Sequence, residues 1–186
     1  MAKAKQKKFV DFRIAFQAAT SYHHAVDRLL ASLVDEERAG RDITVPCFML
    51  MAFTCELYMK VAYAAENNGA AIDDEHQLNV LFSRLSESFR NAVRAGWEGT
   101  TADIREMFPD ANLSLYANLR ISRDAFEGFR YFHEGKTRDF MLCKLPNVLR
   151  QVLIATYPVL KAAPPLHGPS TPVEGPVKSA TRIDAR

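Results

Sequence analysis

The chain has 186 residues, 48% apolar and 25% charged, which is the composition of one globular domain. Its 24 basic and 22 acidic side chains give a net charge of +2, which argues against bulk electrostatic binding of nucleic acid. Three cysteines without CxxC spacing, no signal-peptide core and no apolar run near ~20 residues predict a soluble cytoplasmic protein with reduced thiols and no membrane contact.

The first predicted element is a long amphipathic helix over residues 9–34, which is expected to end at a stop signal around Gly40. His23 lies in the middle of its apolar face and is expected to be a satisfied core histidine, whereas His24 should face outward. The apolar face repeats every three or four residues, with the members Phe9, Phe12, Phe16, Ala19, His23, Val26, Leu30 and Leu33.

A second helix is predicted to begin with Thr44 as its cap and Pro46 in its first turn, and to end in the Asn-Asn-Gly turn at 67–69. Glu56 lies inside its apolar stripe, and Lys60 follows one turn later. An unpaired buried charge costs several kcal/mol, at roughly 3–5 kcal/mol when one partner of a buried pair is lost, so Glu56 is expected to have a partner.

A third helix is predicted to be capped by Asp73 or Asp74, to carry His76 in its first turn and to continue through Phe89. Its apolar face would consist of Leu78, Leu81, Phe82, Leu85 and Phe89. A short helix is predicted over 101–107, and the chain breaks after it at a proline.

The last two predicted elements are a long helix over 113–133 and a final helix over 137–160. Pro146 and Pro158 lie inside the final helix and are expected to kink or split it, because proline removes a helical hydrogen bond.

Together these elements predict an all-α bundle of about five helices over residues 9–161. Residues 1–8 form a basic, flexible N-terminus in this interpretation. The proline-rich tail at 162–186 has almost no large apolar side chains, so it is expected to be disordered.

Three short motifs occur in an order that resembles bacterial HEPN domains, which read Glu-Leu-x-x-Lys and later His-Asp-Leu-x-x-Leu. The matching segments here are Glu56-Leu57-Tyr58-Met59-Lys60, then His76-Gln77-Leu78-x-x-Leu81, then the stretch Phe126-Glu127-Gly128-Phe129-Arg130-Tyr131. The resemblance covers residues 10–161. It implies a helical bundle that usually dimerises and that in many members is a metal-independent ribonuclease of toxin, CRISPR or phage-defence systems.

The catalytic signature of those nucleases is an Arg followed by a His after four to six residues, and this chain lacks it. Its nearest approach is Arg130 and His133, which share a helix face at a spacing of three. His supplies an acid or base near neutral pH, and Arg stabilises the charge that develops on phosphate. Arg130 and His133 are therefore the candidate catalytic pair, with supporting candidates Glu56, Lys60, His76, Tyr131 and Glu134.

Structural alternatives accompany these roles. Glu56 either orients a catalytic Arg or binds a ligand, or it forms a buried ion pair with Arg130 or Lys60 that fixes helix register. His76 is either functional or a local cap or inter-helix hydrogen bond. The run from Asp73 to His76 is a poor metal site because adjacent residues point in different directions, so no metal or cofactor is expected.

Three functions remain open at this stage. The first is a homodimeric HEPN-like protein of RNA metabolism or defence that binds RNA, in one form as a divergent metal-independent ribonuclease. The second is an inactive HEPN-like binding or dimerisation module that partners an adjacently encoded protein. The third is a small-ligand binder that uses a pocket at Glu56.

Overall fold

The computed structural model describes residues 9–72, 74–130 and 142–162, and these ranges are all-α, as predicted. The one β-type backbone pairing within these ranges is an isolated antiparallel bridge between Phe9 and Ala70. The helices are α1 (Phe12–Arg38), α2 (Thr44–Glu66), α3 (Leu78–Ser83), α4 (Glu87–Thr100), α5 (Ala102–Met107), α6 (Leu115–Ile121), α7 (Ala125–Arg130) and α8 (Leu145–Thr156), followed by a 3-10 helix (Pro158–Ala162). The predicted N-terminal segment 1–8 lies outside the described residues, and so does the predicted tail 162–186 except for Ala162, which ends the 3-10 helix and is therefore ordered against the prediction.

Helix α1 begins later than predicted, at Phe12, because the Asp11 side chain accepts a hydrogen bond from the Arg13 N–H and caps it. Phe9 therefore lies outside the helix and is 73% exposed. The predicted core position of His23 is confirmed, since it is buried, and His24 faces outward as expected.

The loop after α1 contains Gly40 at a φ of +73°, which confirms the predicted stop signal. The prediction that Thr44 caps α2 is wrong. Thr44 is the first helical residue, and its N–H donates to the Asp42 carboxylate. Pro46 lies in the first turn, and the 67–69 turn adopts the expected left-handed backbone.

The predicted single helix through Phe89 is wrong, because the chain forms α3 and α4 with a break between them. Ser86 donates its N–H and hydroxyl to the Glu66 carboxylate and accepts from the Phe89 N–H, so it caps α4 instead of continuing α3. His76 precedes α3 and is not in a helical turn. Asp73 is outside the described residues, and α3 has no side-chain cap, so Asp74 does not cap it.

The long helix predicted over 113–133 is divided into α6 and α7 by a turn at 122–124, and its end lies outside the described residues. Ser114 caps α6. In the last element Pro146 does not kink a helix. It occupies the first turn of α8, where proline's missing N–H leaves no helical hydrogen bond unmade, and Pro158 begins the 3-10 helix.

Helix α2 is the centre of the bundle, because α1, α3, α7 and α8 all pack against it while α4 packs on α8. By length and composition alone, α2 is long and apolar enough to cross a membrane, although no such apolar run was expected from the sequence. It is the one helix of this kind in the described ranges. Of its most apolar 18-residue window, 56% is buried inside the bundle, a property that core helices of soluble proteins share. The absence of membrane contact stays a prediction.

Candidate functional site

Glu56 is buried on α2, with 2% of its surface exposed, and it has two basic partners. The Lys60 ammonium lies 2.8 Å from Glu56 Oε1, one helical turn along α2. The His76 Nδ1 lies 2.9 Å from the same oxygen. Of the two partners expected for Glu56, Lys60 is thus confirmed, and His76 makes a structural hydrogen bond as one interpretation predicted, although from an extended segment and not from a second helix.

The segment that carries His76 is held by its own neighbours. The Glu75 carboxylate accepts from the N–H groups of both His76 and Gln77, and it also lies 3.3 Å from Arg84. The Leu78 N–H donates to the Arg123 carbonyl, which ties the segment to the turn before α7. These bonds engage the N–H groups of His76 and Gln77 outside a helix, in keeping with the non-helical backbone of this segment.

A polar cleft of about 370 Å³ opens beside His76, lined by Asp74, Glu75, His76, Gln77 and Asp124. Three of the five lining side chains are carboxylates. Arg84 and Arg123 pair with two of them, but neither arginine lines the cleft. The cleft is therefore better suited to cations or to hydrogen-bond donors than to phosphate.

The geometry gives His76 a defined chemical capacity. A neutral His76 that donates its Nδ1–H to the Glu56 carboxylate keeps the lone pair on Nε2, so Nε2 can accept a proton. Its side chain is 46% exposed, so solvent reaches the ring. Glu56 Oε2 is buried and has no hydrogen-bond partner among the described residues. The arrangement is an oriented histidine backed by a buried carboxylate.

The other predicted site residues lie wholly or partly outside the described part of the chain. Arg130 is the last residue of α7, and its side chain is outside the described part of the chain, as are Tyr131, His133 and Glu134. Helix α7 packs on α2 through Phe126, whose ring stacks on Phe53 with centroids 4.8 Å apart. The Arg130–His133 pair and the contact between Arg130 and Glu56 stay predictions.

A second buried polar cluster joins α1 to α2. His23 Nδ1 lies 3.0 Å from the Tyr58 hydroxyl, and Tyr58 is 3.5 Å from the Thr20 hydroxyl. Burial lowers the pKa of His23 and raises the pKa of Tyr58 to about 12. Nε of Arg150, on α8, is buried without a hydrogen-bond partner in the described ranges.

The sequence predicted His23 as a core residue but not its hydrogen-bond partner, and the places of Tyr58 and Arg150 in this cluster were not predicted. The available signal was that Tyr58 and Arg150 each interrupt an apolar stretch, in α2 and α8 respectively. No cluster of three or more His, Cys, Asp or Glu side chains that could hold a metal ion occurs in the described ranges.

Comparison with family models, with curated proteins and with solved structures finds no match to this chain. The HEPN resemblance therefore rests on the motifs at Glu56–Lys60, His76–Leu81 and Phe126–Tyr131 and stays a prediction.

Proposed function

We propose that this chain is a HEPN-like interaction module that forms a homodimer through the outer side of α1, within RNA metabolism or defence as the resemblance implies. The observation that carries the proposal is a line of apolar side chains along one flank of α1, in which Leu29 also packs on the core and the Tyr22 ring also contacts Phe53, with centroids 4.9 Å apart. Ile14 and Tyr22 in this line are 57% and 41% exposed. We call the line the α1 outer stripe, and it consists of Ile14, Ala18, Tyr22, Ala25, Leu29 and Leu33.

The spacing of the α1 outer stripe is self-complementary. Its six positions are symmetric about the midpoint between His23 and His24, so an antiparallel copy pairs position 14 with 33, 18 with 29 and 22 with 25. Tyr22 then meets Ala25 of the second copy, and Ala18 meets Leu29. In these two pairings a large side chain faces a small one, whereas Ile14 meets Leu33 at the ends of the stripe, and a two-fold axis uses the same patch on both subunits.

The polar cleft favours a binding module over a nuclease. Its lining holds the carboxylates of Asp74, Glu75 and Asp124 but neither lysine nor arginine, and Arg84 and Arg123 pair with two of these carboxylates from outside it, so the lining offers RNA phosphates no lysine or arginine contact. Glu56 is engaged by Lys60 and His76, which suits a structural ion pair.

Sedimentation velocity across a concentration series tests the homodimer. Ala25→Lys places a charge in the α1 outer stripe and is expected to give monomers, because two lysines are buried near the two-fold axis. Ala31→Lys is the matched control, since Ala31 is an exposed alanine of α1 outside the stripe. A monomeric wild-type protein, or equal weakening by both variants, contradicts the proposal.

Cross-linking tests the register. In a Cys143→Ser background, which removes the exposed native thiol, Tyr22→Cys combined with Ala25→Cys is expected to form a covalent dimer on oxidation. The pair Tyr22→Cys and Ala31→Cys is the control and is expected to cross-link far less. If a co-expressed neighbouring protein displaces the homodimer, the partner-binding alternative replaces this proposal.

The second candidate is a divergent metal-independent ribonuclease that uses Arg130 and His133. The observation in its favour is that α7, which ends at Arg130, packs on α2, the helix that carries Glu56. RNA cleavage in EDTA that is lost in Arg130→Ala and retained in Arg120→Ala, an exposed arginine of α6, would establish it. Absence of cleavage and of RNA binding by the wild-type protein rules it out.

A further inference from the structure

A separate apolar cavity of about 230 Å³ lies between the start of α1, the C-terminal half of α2 and the segment that follows α2. It does not share its lining with the polar cleft or with the α1 outer stripe. Six of its seven lining residues are apolar and the seventh is Lys60, the full set being Val10, Ala15, Leu57, Lys60, Ala64, Ala71 and Ile72.

The walls of this cavity are fixed by the backbone. The Val10 N–H donates to the Gly69 carbonyl at 2.8 Å, beside the bridge between Phe9 and Ala70. Gly69 has a φ of +84°, and a Cβ there would lie 3.1 Å from the Val10 carbonyl oxygen, so the close approach requires glycine. The N-terminal segment is thereby held against the end of α2.

Small side chains leave the space open. Ala15, Ala64 and Ala71 come from three different segments of the wall, and each ends at Cβ. Larger residues at these positions would fill the cavity. Lined in this way, the cavity can take an aliphatic chain among mainly apolar side chains.

Lys60 gives the cavity one polar anchor. Its ammonium has three N–H donors, and the described residues use one of them, in the 2.8 Å bond to Glu56. Its side chain is 22% exposed, so the group is partly withdrawn from water. The remaining donors can bind an acceptor, and bonds from an ammonium to a carboxylate are stronger than bonds to a neutral acceptor.

We propose that this cavity binds a small aliphatic monocarboxylate, with the carboxylate on the Lys60 ammonium and the hydrocarbon chain among Val10, Leu57, Ala64 and Ile72. The inference is independent of dimer formation and of any nuclease activity. Each methylene that enters the cavity should strengthen binding about fourfold until the space is full.

The test uses octanoate as the probe, with octylamine and butanoate as controls, in calorimetry and thermal unfolding of the full chain. Octanoate, below its micelle threshold, is expected to bind and to raise the Tm. Octylamine has the same chain length but carries a charge that Lys60 repels, and butanoate buries fewer methylenes, so both are expected to bind at least tenfold more weakly. Equal binding of octanoate and octylamine, or no binding of octanoate, overturns the proposal.

Two variants locate the site. Ala71→Leu fills the cavity from a half-buried position and is expected to weaken octanoate binding at least tenfold, whereas Ala111→Leu, at an exposed position outside the cavity, leaves it unchanged. Lys60→Met keeps the apolar stem and is expected to abolish the preference for octanoate over octanol. If Lys60→Met fails to fold, the Ala71→Leu comparison decides the question, and unchanged binding in Ala71→Leu contradicts the site.

Discussion

Replacing Glu56 by leucine removes the acceptor shared by Lys60 and His76. Loss of one partner from a fully buried ion pair costs about 3–5 kcal/mol. Here the side chains of Lys60 and His76 are 22% and 46% exposed, so both can regain water and the cost falls. The unpartnered Oε2 is also removed, and its burial costs the wild-type protein on the order of 1–3 kcal/mol. We therefore expect Glu56→Leu to lower the free energy of unfolding by about 1–2 kcal/mol.

Urea unfolding measures this loss. With a slope of about 2 kcal/mol per molar urea, the midpoint of Glu56→Leu should fall by about 0.5–1 M without a change in slope. Glu56→Gln keeps one acceptor oxygen and should lose less than Glu56→Leu. The double variant Glu56→Leu/Lys60→Met should lose less unfolding free energy than the sum of the two single variants, because the leucine then no longer leaves a cation without its partner.

Two outcomes would refute this reasoning about Glu56. A loss below about 0.5 kcal/mol is typical of an innocuous surface change and would place the carboxylate in water. Additive effects of Glu56→Leu and Lys60→Met, within about 0.5 kcal/mol, would mean that the 2.8 Å contact between them carries no coupling.

Two further predictions concern the core. Burial lowers the pKa of His23, so below about pH 6.5 the unfolded chain takes up a proton that the folded chain resists. The free energy of unfolding should therefore fall as the pH drops from 7.5 to 5.5, and it should fall less in His23→Gln. Equal pH dependence of the unfolding free energy in the two proteins would contradict this. Gly96→Ala places a Cβ 2.9 Å from Val148 Cγ1 and should lower the urea midpoint. Gly99→Ala, with open space around it on the same helix, is the control and should raise the free energy of unfolding by about 0.5–1 kcal/mol. A higher midpoint for Gly96→Ala would mean that α4 and α8 are not closely packed there.

Local sequence patterns were sufficient to predict helices α1 and α2 and the buried position of Glu56. The apolar repeat of α2 predicted that Glu56 is buried, and the spacing of four predicted its contact with Lys60. The break at Ser86 was missed because its cause is distant in sequence. Glu66 at the end of α2 takes the Ser86 N–H, which a continuous helix would have used.

The position of His76 shows the same limit. Its place beside Asp73 and Asp74 resembled a helix start, but the Leu78 N–H is committed to the Arg123 carbonyl, a contact no local pattern contains. Pro146 was read as a break within a helix, although proline is equally suited to a first turn. Partners brought together by packing, such as His23 and Tyr58, likewise require the assembled bundle.

The bond from the Leu78 N–H to the Arg123 carbonyl joins the two sides of the polar cleft through main-chain atoms alone. Because main-chain groups are present whatever the side chains are, exchanging Asp74, Gln77 or Asp124 leaves that link in place. The charge of the cleft can therefore be changed while its frame persists, which makes this part of the protein a suitable scaffold for engineered ligand selectivity.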